Sequence, residues 1–403
     1  MALINYEVFR TPQVIVYAKG AFERVGVETA LRGKKALIVS DSIMQSLGNI
    51  DKCVEILSQE NVQSEVYTGV VSEPTDRYVA EALALFTGSG CDTIISLGGG
   101  SCIDTAKAVA VLASNGGYIS DYMGAKKLAA TSPIPHIAIP TTAGTGSEAT
   151  DVTIITNVAD DVKMMIKQPA FMPAVAIVDP VLSMSSPKKV TAATGVDALS
   201  HAVEAYLSKK AHPMTDVLAL AAIRLIVPNL RQAFDNPEDV AAREAMSTGS
   251  MYAGMAFSNA SVCLVHGMSR PIGALFHVPH GISNAMLLPA VLEFSKESCL
   301  ERLADIGRLF AGNEETLLMQ EAAEFAVEQV KKLCLDLEIP NLESWGIDQT
   351  EFEKALPKMA ADALISGSPN NNPRVPDQQE IEALYRLCYN YQFASDEMSG
   401  KLS

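Results

Sequence analysis

Basic residues are in the minority in this sequence: 31 Lys and Arg stand against 47 Asp and Glu, for a net charge of −16. That deficit excludes a sequence-independent grip on nucleic acid, which works by displacing counterions with basic surface. It favours an acidic protein whose copies repel one another at long range. Cysteines are few and odd in number, seven, and none stands in a C-x-x-C pair. Neither a zinc ribbon nor a dithiol redox motif is therefore expected, and reduced thiols in a cytoplasm are. The opening MALINYEVFRTPQ lacks a charged region followed by an apolar core, so no secretory leader is expected. Gly, Ser, Asp or Lys interrupts the apolar stretches before the roughly 20 residues that a membrane span needs. Internal repeats and low-complexity tracts are lacking too. Histidines number only six, so where they gather is informative.

What remains is a chain of 403 residues, 48% hydrophobic and 19% charged, a globular composition with room for more than one core. Its first half alternates short apolar runs with helical patterns. KKALIVSD, SEVYTGV, CDTIISLGGGS, HIAIPTT and AVAIVDP read as strands; NIDKCVEILSQEN, RYVAEALALFTGSG and IDTAKAVAVLASN read as helices. Such alternation predicts a parallel sheet covered on both faces. After about residue 185 the pattern turns to apolar residues at three- and four-residue intervals, as in MTDVLALAAIRLIVPNLRQAF, which predicts a helical lobe. The expected division is an α/β domain over 1–185 and an all-α domain over 186–403, joined near VDPVLSMSSP.

Candidate chemistry lies at strand ends and around the histidines. Gly98, Gly99 and Gly100 end a strand, and Ser101 opens a helix. Bare backbone N–H groups at a helix N-terminus suit a phosphate, although a plain tight turn has the same composition. The polar loop running from Thr141 and Thr142 to Ser147 and Glu148 follows another strand, and two such loops at strand C-termini are where an open α/β sheet takes a ligand. Asp41, past a third strand, suits either a ribose hydroxyl or a helix N-cap. Asp197 and His201, spaced i, i+4 in a helical pattern, project from one face and suit either a shared metal or a surface contact. His266, His277 and His280 hold half of the histidines in one short stretch. On an unbroken helix His266 and His280 would lie about 21 Å apart and could not share an ion. Pro271, Gly273 and Pro279 break that continuity and let the chain fold back. One Asp with three His and open positions would suit Fe2+ or Zn2+.

SLGGGSCIDTAKAVA, IAIPTTAGTGSEAT, ATGVDALSHAVEAY, LVHGMSRPIGALFHVPHGISNAMLLP and SGSPNNNPRVPDQQEIEALY resemble, in order and spacing, the iron-containing alcohol dehydrogenases. The resemblance runs over roughly residues 5 to 395 and implies an N-terminal dinucleotide-binding α/β domain and a C-terminal helical metal-binding domain, the dehydroquinate synthase-like arrangement. It implies metal ligation by Asp197, His201, His266 and His280, with Fe2+ favoured and Zn2+ acceptable. It sets a cofactor pyrophosphate against Gly98, Gly99, Gly100 and Ser101, with Asp104 and Lys107 nearby and Thr141, Thr142 and Ser147 on the other side. Asp41 favours NAD(H) over NADP(H). A small alcohol or aldehyde, no nucleic acid, no membrane and a homodimer or larger homo-oligomer complete the expectation.

One departure stands out. Many members carry a histidine four residues after the third metal ligand, a group thought to relay the alcohol proton; here that residue is Arg270. Arginine is always charged and cannot act as an ordinary base. His277 is a candidate substitute, as is a path through water and a ribose hydroxyl. Arg270 itself suits an anionic substrate group or an ion pair with a helix carboxylate. A lyase of the dehydroquinate synthase type and a hydroxyacid–oxoacid transhydrogenase are the rival activities.

Overall fold

Runs such as TIIS and IAI, apolar on both sides, form strands buried on both faces. The structure, a computed structural model, describes residues 7–160, 162–312 and 317–394. Its strands are β1 (Val14–Tyr17), β2 (Lys35–Val39), β3 (Gln63–Tyr67), β4 (Thr93–Gly98), β5 (His136–Pro140), β6 (Val152–Asn157), β7 (Val162–Lys167) and β8 (Val175–Val178). Six make one sheet in the order β1-β8-β5-β4-β2-β3, every pairing parallel, while β6 and β7 form an antiparallel hairpin. Interleaved with them are α1 (Val25–Ala30), α2 (Ser42–Ser46), α3 (Asn49–Gln59), α4 (Asp76–Ser89) and α5 (Gly100–Asn115).

Alternation along each strand sorts the core. Leu37, Val39 and Ile94 join Val79, Phe86 and Val109 from α4 and α5 on one face. Ile38, Ile95, Leu97 and Ile137 join Phe22, Ile56 and Leu57 on the other. Each of these large side chains contributes about 1.5–3 kcal/mol by leaving water. The register pairs Gly98 with Pro140, so the turn after β4 and the loop after β5 leave the same sheet edge. The chain runs outward from β2 to β3, then returns to β4 on the other side of β2. Asp41 and Gly99 flank that reversal, the place where such sheets bind ligands.

The strands and helices expected in the first half are present. Two features were not expected. β1 is a four-residue edge strand, half-exposed and paired with β8 alone, too short for its run to stand out. The β6–β7 hairpin follows the polar loop directly, so its alternation merges with that loop in the sequence.

By internal contacts the chain falls into two units, Met1–Ser183 and Met184–Ser403. After the short α6 (Pro180–Ser183) the second unit is helical among its described residues: α7 (Lys188–Leu207), α8 (Pro213–Asp235), α9 (Val240–Ala260), α10 (Leu264–Phe276), α11 (His280–Ser295), α12 (Leu300–Ala311), α13 (Met319–Asp336), α14 (Leu342–Trp345), α15 (Gln349–Ile365) and α16 (Gln378–Tyr389). From Thr191 onward α7 is buried on nearly all sides, which makes it the central helix of the unit. Close crossings depend on glycine: a Cβ on Gly195 would sit 2.2 Å from Leu230 of α8, and one on Gly281 would sit 2.6 Å from the Ala193 carbonyl of α7. Against the expectation that no segment is apolar enough to cross a membrane, α8 is, by length and a mean hydropathy of 1.4. It packs on α7 and α9, with Ala219, Ile223, Ile226 and Leu230 fully buried.

Candidate metal centre and glycine turn

Three helices bring four donors together. Asp197 and His201 stand one turn apart on α7, His266 lies in the first turns of α10, and His280 opens α11. α10 ends at His277, which takes a left-handed conformation (φ 53), and Pro279 then starts the next helix. That break folds the chain back and removes the distance an unbroken helix would impose. One donor atom from each of the four residues lies within 4.8 Å of all the others. Asp197 Oδ1 is 3.6 Å from His266 Nε2 and 3.9 Å from His280 Nε2. Asp197, His201 and His266 are buried, whereas the His280 side chain is 28% exposed, so the cluster opens on that side.

The rings are held by stacking. His201 lies between Phe257, with centroids 4.2 Å apart, and His266, at 4.4 Å. Burial would push the Asp197 carboxyl up, but the three neighbouring imidazoles hold it well below the usual carboxylate range. Burial likewise disfavours the His266 cation, yet the carboxylates of Glu204 and Asp197 push its pKa up to about 9.

Two residues that sequence reasoning missed complete the cluster. Glu204, one turn past His201, accepts from the Val265 amide (2.6 Å) and lies 2.5 Å from His266 Nδ1. Asn284, one turn past His280, donates Nδ2 to Asp197 Oδ1 at 2.6 Å and stands 3.1 and 3.2 Å from the Nε2 atoms of His266 and His280. The helical spacing from a candidate ligand was the available signal for both. Asp197, His266 and His280 thus crowd around one amide NH2 group, and the Asn284 Oδ1 is buried with no hydrogen-bond partner. A carboxylate and three imidazoles aimed at one point, with one side open, fit a divalent transition metal.

In the first unit, Gly99 serves as N-cap of α5 with no side-chain cap, leaving the helix N–H groups uncovered by side chains. The three glycines differ. A Cβ on Gly98 would meet Cys102 Sγ at 2.5 Å and one on Gly100 would meet Thr145 at 2.8 Å, but one on Gly99 would find only Thr142 at 3.7 Å. Packing within the chain therefore explains Gly98 and Gly100 and leaves Gly99 facing a cradle that a Cβ would partly fill. That cradle fits a phosphate drawn close to backbone N–H groups. Asp41 caps α2, its Oδ1 accepting from Ile43 and Met44, while its Oδ2 takes the Cys102 thiol at 3.7 Å beside the glycine turn. Both roles weighed for it, cap and ribose acceptor, are compatible with that placement.

Asp104, Lys107 and Ser147 direct their polar atoms at one another. Lys107 Nζ donates to Ser147 Oγ (2.9 Å), Thr150 Oγ1 (2.8 Å) and the Val152 carbonyl (2.7 Å). Ser147 Oγ donates to Asp104 Oδ1 at 2.5 Å, and the Ile154 amide donates to Asp104 Oδ2 at 2.9 Å. Burial pushes Lys107 down to about 8 against the pull of Asp104, Asp151 and Glu148. The trio clamps α5 to the loop after β5. Thr141 is buried, with its amide on the Gly98 carbonyl, whereas Thr142 and Ser101 are half-buried at the turn.

Across the length of the chain, the family model described as iron-containing alcohol dehydrogenase matches residues 12–180, and that for the C-terminal part of the Fe-containing alcohol dehydrogenase family matches residues 191–389. The chain belongs to the iron-containing alcohol dehydrogenase family. It is 39% identical over 393 residues to a 1,3-propanediol dehydrogenase of Klebsiella pneumoniae, covering 96% of this chain and all of that one. It is 37% identical over 380 residues to an NAD-dependent methanol dehydrogenase of Bacillus methanolicus, covering 94% and 98%. Among solved structures, a 1,3-propanediol oxidoreductase superposes with a TM-score of 0.91 at 39% identity, covering 96% of this chain and 100% of the other. As a member of this alcohol dehydrogenase family, the chain is an oxidoreductase of alcohols and aldehydes.

Within this family member, Arg270 lies one turn past His266 on α10, half-buried. Burial pushes its pKa down to about 10, and the Glu204 carboxylate opposes that shift. His277 is exposed at the end of α10 and is not one of the four clustered donors.

Proposed function

We propose that the protein reduces small aldehydes to primary alcohols, and runs the reverse reaction, using NAD(H) and one divalent cation held by Asp197, His201, His266 and His280. The observation that carries the reading is the convergence of those four side chains from three helices. Fe2+ is the favoured ion and Zn2+ an acceptable one, since the donor set suits both. When bound there, the ion polarises the alcohol or aldehyde oxygen, and the nicotinamide accepts or supplies the hydride. The protein's own part is to orient and to bind. The N-terminus of α5 takes the pyrophosphate through Gly99, Gly100 and Ser101, and Thr142 faces the same turn. Asp104, Lys107 and Ser147 keep that turn and the next loop in register. Asp41 accepts a ribose hydroxyl and its charge opposes a 2′-phosphate, which favours NAD(H). The open side of the cluster, at His280, admits the substrate.

Arg270 supplies a fixed positive charge one turn from His266, and an anionic tail on the aldehyde would answer it. His277, exposed at the end of α10 and not one of the four donors, is the side chain that would pass the alcohol proton to solvent, and a ribose hydroxyl of a bound cofactor would be the other route. Seven free, buried thiols suit a reducing cytoplasm. The half-exposed edge strand β1, with Tyr17 55% exposed, offers a surface for assembly into a homodimer or larger homo-oligomer.

The deciding experiment follows NADH oxidation by metal-depleted protein, before and after Fe2+ or Zn2+ is restored, with neutral and anionic short aldehydes. Turnover that appears with metal supports the reading, and a preference for anionic aldehydes that vanishes in Arg270→Met supports the role of Arg270. Turnover that is unaffected by chelation would refute it. Loss of inorganic phosphate without net NADH change would instead indicate a lyase, and turnover only with a second oxo-acid a transhydrogenase.

A further inference from the structure

Glu204 has no part in the reading above, yet it is a buried carboxylate of the second unit. It stands three residues past His201 and seven past Asp197, so α7 presents all three from one face. It is 3% exposed. A buried carboxylate is costly unless its oxygens are hydrogen-bonded, and both oxygens of Glu204 are used. Oε1 takes the Val265 amide at 2.6 Å and Oε2 lies 2.5 Å from His266 Nδ1. Val265 is the second residue of α10, whose N-cap Cys263 makes no side-chain cap. One carboxylate from α7 therefore caps α10 and grips the ring of the next residue. Backbone and imidazole are fixed together.

We infer that Glu204 is a positioning residue for the metal centre, holding His266 in the tautomer that carries its proton on Nδ1 and turns the Nε2 lone pair toward Asp197 and His280. The chemistry follows from the inventory of the ring. A ring that ligates a metal must be neutral, with one donor and one acceptor nitrogen, so any second proton leaves when the ion binds. With Oε1 already accepting from the Val265 amide and Oε2 only 2.5 Å away, this assignment makes Nδ1 the donor, since two lone pairs at that distance repel. Nε2 is then the acceptor, and it faces the point on which the other donors converge. A carboxylate behind the ring also makes the imidazole a stronger electron-pair donor.

The inference rests on the proposed metal site, and its test separates the two. Dissociation constants for Zn2+ and Co2+ are measured by chelator competition on wild type and Glu204→Gln, with thermal melts of the metal-depleted proteins and the visible spectrum of each Co2+ form. The variant should bind about 10–100-fold more weakly. Its metal-depleted melt should stay near wild type and its Co2+ bands should shift. Affinity within twofold of wild type and an unchanged Co2+ spectrum would overturn the inference while leaving the site standing. Absence of stoichiometric binding in wild type would overturn the site itself. Should the variant not fold, the 15N shifts of His266 in the Zn2+-loaded wild-type protein decide, where ligation requires a neutral ring. A protonated Nδ1 with an unprotonated Nε2 upholds the assignment, and the reverse pattern overturns it.

Discussion

The contrast between neighbouring glycines is sharpest at the scale of single residues. Gly98 and Gly99 are adjacent, share a turn, and are glycine for different reasons. A methyl group on Gly98 runs into Cys102 Sγ; on Gly99 it meets nothing nearer than Thr142 at 3.7 Å. Gly99 is also in an extended conformation that any residue adopts (φ −72, ψ −174). Gly98→Ala should accordingly destabilise the protein by about 1–3 kcal/mol through overpacking. Gly99→Ala should melt like wild type yet bind NADH at least tenfold more weakly by fluorescence titration. Wild-type NADH affinity in Gly99→Ala would remove the turn from the cofactor site. His136 makes a second single-residue case. Buried on β5 and bonded to Ser96 Oγ at 2.8 Å, it is pushed down to about 3 by burial, with the charge of Lys107 acting the same way. The unfolded chain takes up that proton near the ordinary pKa of 6.5, so between there and about 3 it binds more protons than the folded chain. Stability is therefore complete above 6.5 and falls as the pH drops. From pH 6.5 to 5 the loss is about 2 kcal/mol. Urea midpoints at pH 7.5 and 5 should converge in His136→Gln, and a variant as acid-labile as wild type would show that other groups govern.

At the scale of elements, the metal centre is a problem of how closely helices cross. α11 meets α7 where Gly281 faces the Ala193 carbonyl, immediately after His280 and beside Asp197. Gly281→Ala should push the two helices apart, weaken Zn2+ binding severalfold or more without touching a ligand, and cost about 1–3 kcal/mol of stability. Unchanged Zn2+ affinity in a folded Gly281→Ala would show that the crossing distance does not set the site. This scale also explains what could be read in the sequence. The strands of the parallel sheet and the long helices carry clean periodicities; the glycine turn stands out because three glycines run together, and the donors because histidine is scarce. β1 escaped because four residues on a sheet edge hold no period, and the hairpin because its first strand continues a polar loop. Glu204 and Asn284 escaped for another reason. Each is an ordinary helix residue in sequence, and only the packing of α7 against α10 and α11 turns it toward the histidines. A separate packing, of α5 against the loop after β5 and the strand β6, aims the polar atoms of Asp104 and Lys107 at Ser147, Thr150 and Ile154.

At the scale of the whole molecule, the chain orders its two tasks along its length. The first unit ends its sheet with β8 at Val178, before any of the four clustered donors has been reached. The second unit takes its donors from α7, α10 and α11, so two lie on one helix and the others arrive much later in the chain. On a ribosome these positions become times. At roughly 5–20 residues per second, Asp197 and His201 wait on the order of 4–17 s for His280 to be made. During that interval the nascent protein has all the strands of its parallel sheet but only two of the four clustered donors, one carboxylate and one imidazole on α7. Metal capture therefore waits until synthesis is well past the middle of the chain. It waits for the turn at His277 to lay α11 against α7.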